Sequence, residues 1–213
     1  MNINGKAEGL REQKKRITRQ QLSNTATELF IKHGFDNVTI TDIAIAANVS
    51  KMTVFNYFPR KEALYFDRID EIHQLLQSAI DRHHALSPVA ALRTLAAELV
   101  EQEHPLVRMD KGVADFWRVV AESPSLRVYA LEQFEILVLT LSNILSSRIN
   151  AQNNDPAASL IAVIVLNTWR IAFQEALSHQ TTLSIKDRRQ VFLGLLDRGF
   201  HAVEAAAQGT PYV

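Results

Sequence analysis

The sequence predicts an all-α protein: a small N-terminal head of three helices, joined by a connecting helix to a larger helical body. Three observations carry that expectation. Gly and Pro are sparse, at 7 and 6 in 213 residues, while Ala, Leu, Ile and Val dominate. Apolar residues recur at spacings of three and four, the period of a helix face rather than the alternation of a strand. The second half is punctuated by Ser87-Pro88, Ser123-Pro124 and Asp155-Pro156, each a capping side chain directly before a residue suited to the first helical position.

In chain order, residues 1–16 lack apolar periodicity and read as a disordered basic arm in which Lys14, Lys15 and Arg16, with Arg19 just beyond, concentrate positive charge. A first helix is expected over 17–33, with Leu22, Ala26, Leu29, Phe30 and His33 as its buried stripe. Between Thr39 and Leu64 two short helices meet at a tight break. Ile40, Ile43, Ala44 and Ala47 share one face, Thr39 or Thr41 caps the start, and Asn48 suits the left-handed turn at the end. Ser50 caps the second, in which Val54 and Phe58 share a face before Pro59 stops it. Two short helices crossing at a turn, the second rich in polar and small residues, form the plan of a helix-turn-helix. The groove-facing candidates are Ser50, Lys51, Met52, Thr53, Asn56 and Tyr57. Asn pairs with adenine, Thr or Met touches a thymine methyl, and Lys, Tyr and Ser suit phosphate or base oxygens. The same pattern also fits two core helices with no nucleic-acid role.

The run from Ile17 to Leu64 resembles the DNA-binding domain of the TetR family of bacterial repressors. ATELFIKHGFDNVTITDIA and VSKMTVFNYFPRKEAL carry the likeness, without a gap across about 48 residues. Phe55 stands where the family often has Tyr, Met52 where it often has Gly, and Thr41 where Arg is frequent. The resemblance implies a transcription repressor that works as a homodimer on a double-stranded, pseudo-palindromic DNA operator and is released by a small-molecule effector. Thr39, Thr41 and Lys61 join the groove-facing set at the DNA, with Lys51, Tyr57 and Lys61 on phosphates and Thr53 and Asn56 nearest the bases. The basic arm can reach the DNA backbone or minor groove.

The head is therefore expected over 17–64 and the effector-binding and dimerisation body over 65–213. A connecting helix over 61–85 carries Tyr65, Ile69, Ile72, Leu76 and Ala79 on one stripe. Helices follow at about 88–103, 106–121, 124–150, 156–179 and 185–207, the last opened by Ser184 with Asp187. The stretch AASLIAVIVLNTW is apolar nearly all round, which calls for cover on more than one side and suits a second subunit. Aromatic residues in the middle helices, interrupted by a few polar groups, suit an apolar ligand pocket, with Phe116, Trp117, Phe134, Asn167, Arg170 and Phe173 as its candidates. Residues 121–148 weakly resemble the ligand domains of acyl-coenzyme-A-responsive relatives, which implies an acyl or aromatic effector.

Composition narrows the chemistry. The absence of cysteine excludes disulfides, thiolate metal sites and thiol catalysis. Net charge is zero, yet residues 1–61 hold ten Lys/Arg against five Asp/Glu, a basic end on an acidic remainder. No phosphate loop, nucleophile elbow or His-Glu-x-x-His motif occurs, so neither catalysis nor a cofactor is expected. Asp81, His84 and His104 are the residues that folding could gather around a metal, though none is required. The polar N-terminus and the lack of an 18-residue apolar run point to a cytoplasmic protein with no membrane span.

Overall fold

The computed structural model describes residues 9–151, 155–179 and 181–213. It is all-helical among those residues, and they fall into two compact units. The first comprises residues up to Asp67 together with Val119–Arg127, and the second Arg68–Arg118 with Val128–Val213. The boundary between the units falls at 67/68, beside the division expected at 64/65, and a short segment near residue 123 joins the head.

In the first unit, α1 (Leu10–His33) packs with α2 (Ile40–Ala46), α3 (Lys51–Tyr57) and α4 (Lys61–Tyr65). Its core is Leu22, Ala26, Phe30, Phe35, Ile43, Val54, Phe58, Leu64 and Tyr65, each less than 5% exposed. Helix α1 begins seven residues earlier than expected, so residues 10–16 of the predicted arm are helical; residues 1–8 lie outside the described residues. LREQKKR is composed almost wholly of strong helix formers, which is enough to extend a helix that is anchored further on. The end of α1 also corrects the reading of His33. Gly34 closes the helix at φ 83°, Asn37 donates to the His33 carbonyl, and the His33 side chain is exposed rather than part of the stripe.

The expected connecting helix is two helices, α4 and α5 (Ile69–Arg82), separated at Phe66–Arg68. In the head, the Asp67 carboxylate accepts from Ser23 Oγ at 2.5 Å and from Gln20 at 3.5 Å. In the second unit, Arg68 forms a two-pronged pair with Glu71 at 2.6 and 2.8 Å. The Asp67 bonds reach back 44 and 47 residues to α1, a long-range connection that periodicity along the sequence does not register.

The second unit contains α5, α6 (Pro88–Glu101), a 3₁₀ turn at Pro105–Val107, most of α7 (Lys111–Glu122) and α8 (Pro124–Arg148), then α9 (Pro156–Ser178) and α10 (Ile185–Ala207). Every predicted cap is present. Ser87, Ser123, Asp155 and Ser184 accept from Ala90, Leu126, Ala157 and Asp187 backbone N–H groups. The expected helix at 106–121 starts later, at Lys111, because Pro105 opens a 3₁₀ turn instead. Helices α9 and α10 form the most extensive helix pair. Gly199 lets them approach: a Cβ built there would lie 2.0 Å from Thr168 Cγ2 and 2.7 Å from its Cβ. Beyond α10, Gly209 turns the chain at φ 79° and buries Tyr212 completely. Tyr212 Oη donates to Asp155 at 2.6 Å and its carbonyl accepts from Val89 N–H at 3.1 Å, which fastens the tail to the starts of α9 and α6.

Candidate functional site

The head is built so that one short helix is gripped from behind and free in front. Thr39 and Asp42 form a reciprocal capping box at the start of α2: Thr39 N–H and Oγ1 donate to Asp42 at 2.8 and 2.7 Å, and Asp42 N–H donates back to Thr39 Oγ1 at 3.2 Å. The Thr39 hydroxyl and backbone bonds hold the Asp42 carboxyl below its ordinary range. Helix α2 ends as predicted, with Asn48 at φ 54° and Val49 N–H bonded to the Ala44 carbonyl at 2.9 Å. Ser50 then caps α3 by accepting from Thr53 N–H at 3.0 Å.

Behind α3, Val54 and Phe58 are fully buried. Arg19 of α1 lies with its guanidinium 4.2 Å from the Phe58 ring centre and donates to the Tyr57 carbonyl at 2.9 Å. This side chain, grouped by sequence with a DNA-reaching arm, holds the C-terminal end of α3. In front, Lys51, Met52, Phe55 and Asn56 are exposed, Met52 at 67%. Thr53 and Tyr57 are half-buried at the flanks, and Thr53 Oγ1 lies 2.9 Å from Ser50 Oγ. Thr39 is exposed and Thr41 half-buried on α2. Phe55, 46% exposed on the same helix, adds an apolar side chain to this face that the sequence-derived set lacks.

Lys61 is the member of that set whose surroundings differ most from expectation. Its ammonium donates to the Phe35 carbonyl at 2.6 Å and lies 4.1 Å from the Phe35 ring centre. Burial lowers its pKa, with Asp36 and Glu62 opposing that shift. The ammonium ties the start of α4 to the end of α1. A further tie joins the Val119–Arg127 segment to the head, where the buried Ser123 hydroxyl donates to Asp36 at 2.9 Å while capping α8.

The body brings some of the ligand candidates together and separates others. Phe116 and Trp117 meet edge to face at 5.3 Å between ring centres, and Trp117 meets Phe173 at 6.4 Å. The cluster continues through Phe192 to Trp169, at 6.0 and 5.7 Å. Phe192 lies on α10, nineteen residues from the nearest of these in sequence, and no local pattern points to it. Asn167 and Arg170 belong elsewhere: Asn167 Oδ1 accepts from Arg170 at 2.9 Å, and the exposed guanidinium sits 5.8 Å from the Phe134 ring centre. Asp81, His84 and His104 are not gathered. Asp81 accepts from Gln77 and His104 faces Glu71, and no group of three potential metal ligands forms among the described residues.

Comparison with known proteins agrees with this architecture. A family model described as bacterial regulatory proteins, tetR family, matches residues 22–67, the segment containing the gripped helix. Among curated proteins, the HTH-type transcriptional regulator TcmR of Streptomyces glaucescens is 30% identical over 145 residues, which span 66% of this chain and 64% of that protein. Among solved structures, NalD of Pseudomonas aeruginosa, the secondary repressor of the MexAB-OprM multidrug efflux pump, aligns with a TM-score of 0.58 at 15% identity, covering 87% of this chain and 96% of its own. The Thermus thermophilus repressor FadR, solved with lauroyl-CoA, aligns with a TM-score of 0.50 at 22% identity, covering 87% and 92%. The capped two-helix head and its match to the family model make residues 22–67 similar to the DNA-binding domain of the tetR family of bacterial regulatory proteins, and the helical body shares the fold of the solved regulators.

Proposed function

We propose that this DNA-binding regulator is a homodimeric repressor whose two heads read the half-sites of a pseudo-palindromic operator and whose body binds a small apolar effector that releases it. The observation that carries the reading is the asymmetry of α3. Val54 and Phe58 anchor its back completely, while Lys51, Met52 and Asn56 stand exposed on a helix of only seven residues. An exposed Met and Phe beside Lys and Asn suit a DNA groove, where apolar side chains meet thymine methyls and polar ones meet base edges and phosphate. Thr39, Thr41, Ser50, Thr53 and Tyr57 flank that face as secondary contacts. Lys61 contributes first by holding α4 in place.

Phe116, Trp117, Phe173, Trp169 and Phe192 form the apolar wall on which an acyl or aromatic effector would lie. The Thermus protein of the same fold, solved with lauroyl-CoA, is a precedent for an acyl occupant. A body conformation favoured by effector changes the separation of the two heads, and the dimer then no longer fits both half-sites.

The test is a fluorescence-anisotropy titration of the protein against the DNA upstream of its own gene, beside random DNA, at two salt concentrations. Saturable binding that prefers the upstream DNA, with affinity falling as salt rises, is the expected result. Equal, weak binding to both DNAs at low salt would remove the local-operator reading and favour a helical sensor without a DNA role.

A further inference from the structure

Arg188 is the one charged side chain among the described residues that is classed with the buried core, at 7% exposure. Its Nε is fully enclosed and has no hydrogen-bond partner, and its guanidinium has no ion pair among the described residues. The neighbouring acids are occupied. Asp187 accepts from the Ser184 hydroxyl at 2.7 Å, and Glu103 pairs with Arg189 at 2.8 Å. An arginine cannot shed its proton to escape burial, and a guanidinium that is 7% exposed, with its Nε enclosed and unpaired, is costly to carry. Such a group calls for an anion.

Its place on α10 indicates what kind. Arg188 lies one helical turn before Phe192 on the buried face of that helix. Phe192 touches Trp169 and Phe173, and Phe173 leads to Trp117, which is 40% exposed, so the aromatic row runs from the interior to the surface. With Arg189 paired to Glu103, Arg188 presents a planar fork of donors on the buried face of α10 with no ion pair among the described residues. A carboxylate matches that charge and that geometry.

We propose that Arg188 anchors an effector subsite that takes a carboxylate borne on an apolar or aromatic skeleton, the carboxylate accepting from the guanidinium and the skeleton lying along the Phe192–Phe173–Trp117 row. The inference rests on the effector-responsive reading above and names the chemistry of its ligand.

The experiment pairs two acids, octanoate and 3-phenylpropionate, with their neutral primary amides. Binding is measured by calorimetry and DNA release by anisotropy, on the full chain and on Arg188→Met. In the wild type the acids should bind on the order of 30-fold more tightly than the amides, the scale of a buried charge-assisted pair. In Arg188→Met that preference should vanish while DNA binding persists and the ligand-free melting temperature holds or rises, because an apolar side chain replaces an unpaired charge. Acids and amides that bind the wild type alike, or an acid preference that survives in Arg188→Met, would overturn the subsite while leaving effector response intact if DNA is still released. Failure of all four compounds to bind would overturn it as well, with DNA recognition judged separately by its own titration. Arg188→Gln provides a second, polar replacement. A lowered melting temperature in both variants would show that the guanidinium is partnered in the ligand-free chain, and the proposal would fall.

Discussion

At the scale of single residues, several side chains combine two tasks, and substitutions can separate them. Lys61 binds the Phe35 carbonyl and faces two aromatic rings, so Lys61→Ala is expected to destabilise the head by about 1.5 kcal/mol, the scale of a charge-assisted bond. A lower melting temperature together with weakened binding to every DNA would be its signature. Asn56→Ala should instead leave the melting temperature alone and reduce discrimination between upstream and random DNA by about 1–3 kcal/mol, the scale of one base contact. Equal losses on both DNAs would remove Asn56 from the base-reading set. Tyr212 offers a pH test. Burial first, then its bond to Asp155, raises the phenol to about 12. Its neutral form is therefore the one the fold favours, so the stabilisation is complete below about pH 10, the ordinary tyrosine value, and is lost as pH rises through the raised one. Tyr212→Phe should lower stability by about 1–2 kcal/mol at neutral pH and narrow its gap to the wild type between about pH 10 and 12. Melting curves of both proteins across that range decide it.

At the scale of elements, what could be read from the sequence was what is local. Ser87, Ser123, Asp155 and Ser184 cap their helices as predicted because a cap involves residues two or three apart. Asn48 takes its left-handed turn for the same reason. The misses are long-range. The break at Phe66–Arg68 accompanies Asp67 bonding to Ser23, 44 residues away, and Arg19 serves α3 from 38 residues away. Phe192 and Arg188 join the aromatic region only because α9 and α10 pack antiparallel, which no periodicity reveals. Two elements give direct tests of packing. Gly199→Ala would push a methyl group into the β-branched Thr168 and is expected to destabilise the α9–α10 pair by about 1–3 kcal/mol, the range for overpacking a close contact. Because its neighbour is the obstacle, Thr168→Ala in the same chain should restore most of the loss, a coupling that a double-mutant cycle in denaturant measures.

At the scale of the whole molecule, the unfinished business is an apolar surface. Helix α9 buries Ile161, Ala162, Val165, Ala172 and Ala176 within its unit, yet leaves Leu160, Val163 and Ile171 at 50%, 40% and 52% exposure on its other side. Leu193 of the adjoining α10 is 39% exposed. Helices α8 and α9 are also long and apolar enough, by length and composition alone, to cross a membrane. On α9, however, Asn167 and the exposed Arg170 sit among the uncovered apolar positions, at the middle of the helix, where hydrocarbon would leave a charge stranded. A polar-interrupted apolar face suits a protein partner better than lipid, and a second copy of the chain supplies the two-fold symmetry that paired half-sites need. A glutamate at Val163 would place a charge inside that contact. Val163→Glu is therefore expected to convert a dimer to a monomer in sedimentation velocity with its helical content unchanged. The same variant should lose upstream-DNA affinity by at least the tenfold that about 1.4 kcal/mol represents, since each head then binds its half-site alone. A variant that stays dimeric and binds DNA as before would move the subunit contact away from this face of α9. A wild type that sediments as a monomer would leave the exposed stripe to some other cover.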